Sequence, residues 1–202
     1  IWATASPLRN DEGEIIGAIE SIRDITERIE AEDALKDSER RLTDIINFLP
    51  DATFVIDKQG TIIAWNRSIE AMTGIEAKQI LGRGFYEHSL PFYGNRRPML
   101  ADLVLRQNDG FFDEHLDELG KTDGISNKWY ADLKRVEDGS LCGEAFMPKL
   151  KGGKAFLQGS AAALYDSDGN VTGAIESIRD ITERMKAQLE LKKSKAKNRS
   201  LL

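Results

Sequence analysis

Apolar and polar residues alternate with a period of two in several short stretches, which is the pattern of half-buried β-strands. Residues 53–57 and 61–65 alternate in this way on either side of Lys58-Gln59-Gly60, which suits a tight turn. Four further extended segments are predicted at 129–136, 141–150, 156–164 and 173–182. The pattern therefore predicts one hairpin after residue 50 and a group of strands near the end of the chain.

Short helices are predicted between these two groups of strands. Asn66 suits an N-cap and Gly74 a stop, and residues 76–81 allow one or two more helical turns. A further helix is expected after Asn95, with Pro98 in its first turn. Its apolar face would consist of Met99, Leu100, Leu103 and Val104. Strands on both sides of a helical middle predict an α+β fold with an antiparallel sheet.

A repeat indicates the domain organisation. The sequence GAIESIRDITER occurs at residues 17–28 and again at 173–184. In each copy a Gly- and Asp-containing turn precedes the alternating stretch, so both copies predict the terminal hairpin of the same module. Only the second copy has a module in front of it. Residues 1–28 are therefore expected to be the last strands of a truncated upstream domain, and 50–184 the complete domain.

The stretch between the two copies predicts a connector helix at 29–49. Its apolar seam is spaced 4, 3, 4, 3 and 4 residues apart and consists of Ala31, Leu35, Ser38, Leu42, Ile45 and Leu49. The helix could lie on its own domain or pair with a second copy as a parallel coiled coil. The second interpretation is favoured because the helix joins two copies of one module, and Leu35, Leu42 and Ile45 would then face the partner of a homodimer. Residues 185–202 are expected to form a Lys-rich linker helix.

The segments DKQGTIIAWN, AMTGIEAKQILGR and YDSDGNVTGAIESIRDITER together resemble a PAS sensor domain. The resemblance implies a sheet of about five antiparallel strands with short helices on one face, flanked by N- and C-terminal signalling helices. It also implies a small-molecule cavity and a relay through Asp180, Ile181 and Thr182 into the following helix. Such domains stand in tandem in sensor histidine kinases, so an adjacent PAS domain and a downstream kinase are the expected partners.

Composition excludes several other functions. The 202 residues include 28 basic and 34 acidic side chains, and the net charge of −6 argues against nucleic acid as the main partner. No apolar run approaches the roughly 20 residues of a membrane-spanning helix. One cysteine excludes an intrachain disulfide and a cysteine-based zinc site, which favours a reducing, cytoplasmic setting.

No catalytic set of residues stands out, and this chain is not expected to be an enzyme by itself. The parent is expected to be a protein histidine kinase. Cys142 lacks the Asn-Cys-Arg surroundings of flavin-adduct relatives, and His88 and His115 could each be a structural or exposed histidine rather than a haem ligand. Metal, haem and flavin are therefore not expected.

Candidate ligand-pocket residues are mostly apolar side chains of the strands and helical cover. Arg96 and Arg97 would oppose the dipole of a helix capped by Asn95, and a carboxylate-bearing ligand would remove that conflict. The alternative is two exposed arginines in a loop, and the apolar set could equally fill a solid core. The complete set is Phe54, Ile56, Trp65, Met72, Phe85, His88, Arg96, Arg97, Leu103 and Trp129.

The sequence thus predicts a sensory domain that binds a small molecule and relays the signal to the C-terminal helix. One alternative is a ligand-free dimerisation and relay module of the same fold. The other is a haem- or flavin-based redox or light sensor.

Overall fold

The computed structural model of the chain describes residues 1–106 and 130–199. These residues form two compact units, of which the first is Ile1–Ile45 and the second begins at Ile46. Trp129 and His115, which the sequence singled out, lie outside the described residues. None of the described helices is both long and apolar enough to cross a membrane.

The first unit contains a hairpin and most of a long helix. Strands β1 (Trp2–Arg9) and β2 (Ile15–Arg23) pair antiparallel as a two-stranded sheet, and the residues of both strands are exposed. Helix α1 (Thr26–Phe48) follows, and the Asp24 carboxylate accepts the Thr26 N–H at its start (2.9 Å). The last turn of α1 belongs to the second unit. Compared with the helix predicted for residues 29–49, α1 begins three residues earlier and ends one residue earlier.

The second unit contains an antiparallel sheet of six described strands in the order β4-β3-β8-β7-β6-β5. The pairing of β3 with β8 joins the first hairpin of this sheet to the last, from Ala52 opposite Ile178 to Asp57 opposite Gly173. The resemblance implied about five strands, and the additional one is β5 at the sheet edge. The strands are β3 (Ala52–Asp57), β4 (Ile62–Trp65), β5 (Ala131–Arg135), β6 (Leu141–Leu150), β7 (Gly153–Tyr165) and β8 (Val171–Asp180). The α+β antiparallel architecture is confirmed.

Short helices cover one face of this sheet, and a longer one follows β8. They are α2 (Arg67–Thr73), α3 (Ala77–Ile80), a 3-10 turn (Glu87–Ser89), α4 (Leu90–Tyr93), α5 (Leu100–Leu105) and α6 (Thr182–Arg199). The predicted caps of α2 are confirmed, because the Asn66 side chain accepts the Ile69 N–H and Gly74 adopts a left-handed conformation.

The prediction that Asn95 caps a helix is wrong. Helix α4 ends at Gly94, and α5 begins only at Leu100, where the Asp102 carboxylate accepts the Met99 N–H (2.8 Å). Pro98 disfavours a helical conformation at the residue before it, so the chain from 95 to 99 runs as a loop. Arg96 and Arg97 therefore lie in this loop and not in the first turn of a helix.

The hydrophobic core lies between the sheet and its helical cover. The side chains that point inward from alternate strand positions meet the apolar faces of α2 and α5, and this burial stabilises the domain. Fully buried members include Phe54, Ile56, Ile62, Ile69, Leu100, Leu103 and Leu141.

Candidate functional site

In the described part of the chain, one histidine and two carboxyl side chains are buried within this core. They are His88 from the 3-10 turn, Asp102 from α5 and Glu176 from β8, and each is less than 5% exposed. His88 Nε2 lies 2.8 Å from Asp102 Oδ2, and the imidazole stacks on the Phe54 ring with 4.9 Å between centroids. His88 Nδ1 has no hydrogen-bond partner among the described residues. A polar cluster thus connects the helical cover to the sheet.

Glu176 occupies the core face of β8, between Ala174 and Ile178. One of its carboxylate oxygens accepts the backbone N–H of Ala101 in α5 (2.9 Å). Burial raises the pKa of Glu176 to about 8, since desolvation penalises its charged form. Glu176 therefore forms the polar contact between α5 and the strand that leads into α6.

Aromatic side chains surround the guanidinium of Arg97 beside this carboxylate. The Arg97 Cζ atom lies 3.8 Å from the centre of the Tyr93 ring and 5.8 Å from that of Tyr130. Burial raises the pKa of both tyrosine hydroxyls, so both stay neutral at physiological pH. The cavity that remains between these rings and Glu176 is about 10 Å³, which holds one water molecule at most. Among the described residues, the interior between these rings and Glu176 is therefore filled by side chains.

A larger cavity of about 300 Å³ lies against Asp102. Its wall contains the turn Lys58-Gln59-Gly60, together with Phe85, Tyr86, Leu105 and Arg106. Arg106 donates a hydrogen bond to the Tyr86 hydroxyl, whereas the Asp102 carboxylate is engaged by His88 and the Met99 N–H. Two cationic side chains against one occupied carboxylate make the wall favourable for an anion.

The backbone of this cavity wall is strained at two adjacent positions. Phe85 and Tyr86 have φ angles of 54° and 58°, in the left-handed region that residues with a side chain rarely occupy. Such strain is concentrated at binding sites, because a rigid surrounding structure is needed to maintain it. The strain is a second feature, independent of charge, that distinguishes this cavity.

The candidate pocket residues from the sequence fall into three groups. Phe54, Ile56, Trp65, His88 and Leu103 are buried in the core, and Met72 packs half-buried against it. Phe54 contacts two of them: the centroid of its ring lies 5.9 Å from that of Trp65 and 4.9 Å from that of His88. Phe85 is exposed at the rim of the larger cavity.

The two arginines of the predicted anion site do not act together. Arg96 pairs with Glu87 on the surface, at 2.5 and 3.0 Å. Arg97 packs against Tyr93, and its backbone N–H donates to the Ser89 hydroxyl (3.0 Å). The cations of the larger cavity are instead Lys58 and Arg106, which the sequence did not single out.

The end of β8 is firmly connected to the start of α6. Asp180 accepts the Thr182 N–H (2.8 Å), and the Thr182 hydroxyl accepts the Phe156 N–H of β7 (2.9 Å). Ile181 is buried, and its N–H donates to the Phe156 carbonyl (2.8 Å). Arg184 in the first turn of α6 pairs with Glu144 of β6 at 2.7 Å. The first turn of α6 is thus bonded to β6, β7 and the end of β8.

A second polar junction connects the last turn of α1 to β8. The buried Asn66 amide donates to the Ile46 and Asp51 carbonyls (3.1 and 2.9 Å), and its oxygen accepts the Thr53 N–H (2.9 Å). The Asp51 carboxylate in turn pairs with Arg179, one residue before Asp180, at 2.6 Å. The segment that enters the domain and the strand that leaves it thus share a hydrogen-bonded network.

The seam residues predicted for dimerisation are exposed on α1. Leu35, Leu42 and Ile45 are 61%, 59% and 55% exposed within the described chain. Exposed leucines and isoleucines at heptad spacing indicate a surface that a partner helix could cover.

Known proteins resemble the chain in two regions. The family model for the PAS fold matches residues 40–93, and a second model, described as a PAS domain, matches residues 1–27. No curated protein matches the chain.

Solved PAS structures resemble the chain at low sequence identity. The PAS domain of Bordetella pertussis BvgS is 20% identical over 80% of this chain and 98% of its own, with a TM-score of 0.47. The PAS domain of an HTR-like protein from Haloarcula marismortui is 18% identical over 75% and 98%, with a TM-score of 0.42. An RNA-binding Light-Oxygen-Voltage receptor is 14% identical over 98% and 44%, with a TM-score of 0.49.

Proposed function

Since this chain belongs to the PAS domain family, we propose that its second unit binds a small anion and relays that event into α6. The observation that carries this proposal is the position of Asp102. Its carboxylate lies in the wall of the 300 Å³ cavity, and the neighbouring Ala101 N–H is bonded to Glu176 of β8. The cavity therefore contacts α5, and α5 in turn contacts β8, the strand that leads into α6.

The cavity suits a small carboxylate or phosphate. Its volume of about 300 Å³ lies at the lower end of the range for small-molecule sites. Lys58 supplies an ammonium and Arg106 a guanidinium, which are the two cations that proteins use for such groups. The surface pair Arg96–Glu87 offers no such charge, because the Glu87 carboxylate already neutralises Arg96.

A ligand there would act through differential affinity for two positions of α5. A ligand that contacts Arg106 would alter the hydrogen bond from Arg106 to Tyr86, and with it the position of the adjoining end of α5. Helix α5 would then shift against β8 through Ala101 and Glu176, and Asp180, Ile181 and Thr182 would transmit the shift to α6.

The wider setting that we propose is a cytoplasmic sensor histidine kinase in which this chain contributes no catalysis. In it, residues 1–28 are the terminal strands of an upstream PAS domain, 29–49 the connector, 50–184 the complete domain and 185–202 the linker to the effector. The repeated GAIESIRDITER sequence and the heptad seam of α1 support this arrangement.

A ligand-free relay is the second candidate, and the filled interior favours it. In this version the signal would enter through α1. It would reach β8 through Asn66 and the Asp51–Arg179 pair, without a small molecule.

Thermal unfolding with succinate and with inorganic phosphate, at constant ionic strength set with sodium chloride, separates the two candidates. We expect at least one anion to stabilise the wild-type chain, by about 2.7 kcal/mol at 100 times its Kd. The combined variant Lys58→Gln, Arg106→Gln should lose this stabilisation. Lys78→Gln, which removes an exposed lysine paired with Glu76 outside the cavity, should retain it.

Stabilisation by neither anion would contradict the ligand site and leave the ligand-free relay. Equal stabilisation of the wild type and the cavity variant would place the anion elsewhere.

A further inference from the structure

Glu176 has an environment that its counterpart in the repeat lacks. Glu20 holds the same position in the first copy of GAIESIRDITER and is exposed on the isolated hairpin, whereas Glu176 is 1% exposed. The local sequence is identical, so the difference comes entirely from the sheet and helices that enclose β8. The chain thus contains a buried carboxylate and its own exposed reference.

The groups that face Glu176 carry an excess of acid. Asp102 faces it from α5, Arg97 from the preceding loop, Tyr93 from α4 and Tyr130 from the residue before β5. The remaining neighbours on β6, β7 and β8 are uncharged: Ala145, Met147, Leu157, Gly159 and Ile178. His88 joins the cluster through Asp102.

Counting the charges of this cluster shows why a proton is favoured there. Among the described residues of this cluster, the two carboxyl groups of Glu176 and Asp102 stand against the one guanidinium of Arg97, and both tyrosines are neutral. A net negative charge in a dry interior is costly, and binding one proton removes it. The Asp102 carboxylate is bonded by His88 and the Met99 N–H, whereas Glu176 is bonded by backbone N–H groups of α5 alone.

We propose that Glu176 is a proton-binding site whose occupancy sets how firmly α5 is held against β8. With the proton bound, the repulsion between Glu176 and Asp102 disappears and the α5–β8 contact closes. When the proton leaves, the charged carboxylate draws water toward the contact and loosens it. Transfer of this change to α6 rests on the relay proposed above, whereas proton binding itself does not.

The pKa of Glu176 gives the direction of the pH effect. Burial, and to a smaller extent Asp102, raise it from 4.5 in the unfolded chain to about 8, against the opposing effects of the α5 N–H groups and Arg97. Between these two values the folded protein holds a proton that the unfolded chain has lost. Stability should therefore fall as the pH rises from about 4.5 to about 8, and this contribution should level off above.

Urea unfolding between pH 5.5 and pH 8.5 tests the proposal with Glu176→Gln and Glu20→Gln. Glutamine has the size of a protonated glutamate and cannot ionise. We expect the unfolding constant of the wild type, relative to that of Glu176→Gln, to rise about 200-fold across this range. Glu20→Gln should follow the wild type. All three proteins retain the other side chains of the cluster, His88 included, so the difference between the wild type and Glu176→Gln reports residue 176 alone. A Glu176→Gln variant that keeps the pH dependence of the wild type would overturn the proposal.

Infrared difference spectra of the wild-type chain give a second test that needs no stable variant. A buried protonated carboxyl should be present at pH 6 and lost by pH 9, and its absence at pH 6 would contradict the proposal. Neither test uses an added anion. Failure of proton binding can therefore be told apart from failure of the ligand site.

Discussion

Replacing Gly173 by alanine should destabilise the second unit by roughly 3 kcal/mol or more, one of the largest effects of any single substitution in the chain. A Cβ atom at Gly173 would lie 2.2 Å from the Ile56 carbonyl oxygen and 3.2 Å from the Asp57 Cα atom. Both belong to the backbone of β3, which cannot rotate away as a side chain can. The central strands β3 and β8 would have to separate.

The repeat supplies the control for this experiment. Gly17 holds the same position in the first copy, and a Cβ atom there would meet only the Leu8 Cδ1 atom, at 3.9 Å. We expect Gly17→Ala to change the free energy of unfolding by no more than about 0.5 kcal/mol. Urea unfolding followed by circular dichroism measures both variants. Similar losses at the two positions, or no loss at Gly173, would show that β3 and β8 do not pack as closely as described.

Substituting Leu35, Leu42 and Ile45 together by glutamine should convert a dimer of this chain into monomers. The three side chains lie on one seam of α1 and are more than half exposed. In a parallel coiled coil each would be buried against the partner helix. Three glutamines at these positions would lose the apolar contacts and leave their amide groups without hydrogen-bond partners. Glutamine favours helices about as well as leucine does, so α1 itself should persist.

Sedimentation equilibrium measures this change, with Asp33→Gln, Arg40→Gln as the control. Those two residues lie on the opposite face of the same helix, and their combined substitution leaves the net charge unchanged. We expect the control to remain dimeric. A monomeric wild type, or a dimer that survives the seam substitutions, would contradict the coiled-coil connector.

Local sequence signals predicted those elements that depend on neighbouring residues. The hairpin around Gly60, the caps of α2 at Asn66 and Gly74, and the alternation along β8 all follow from short-range geometry. The Asn95 cap is wrong because Pro98, which the pattern placed in the first turn of the helix, keeps the preceding residue out of the helical conformation, so that the helix begins only at Leu100.

The polar cluster was missed, although part of its signal is present in the sequence. Alternation places Glu176 on the same face of β8 as Ala174 and Ile178, and Asp102 stands within the apolar stretch of α5. A charged residue on an apolar face indicates a buried polar contact.

The cavity cations carry no local signal. Lys58 belongs to a hairpin turn and Arg106 follows α5, and only the folded chain brings them into one wall. Packing between distant elements, which no short pattern encodes, therefore decided this part of the site.

Coupling from α5 through β8 into α6 is tested most directly by amide hydrogen exchange of Asp102→Asn beside the wild type. Asparagine keeps the size of the side chain but replaces the carboxyl group that bonds His88 and the Met99 N–H by an amide. The relay predicts altered exchange in α5, in β8 and in the first turn of α6, with β4 at the sheet edge unchanged. Exchange that changes only between residues 88 and 106, or equally throughout the domain, would contradict it.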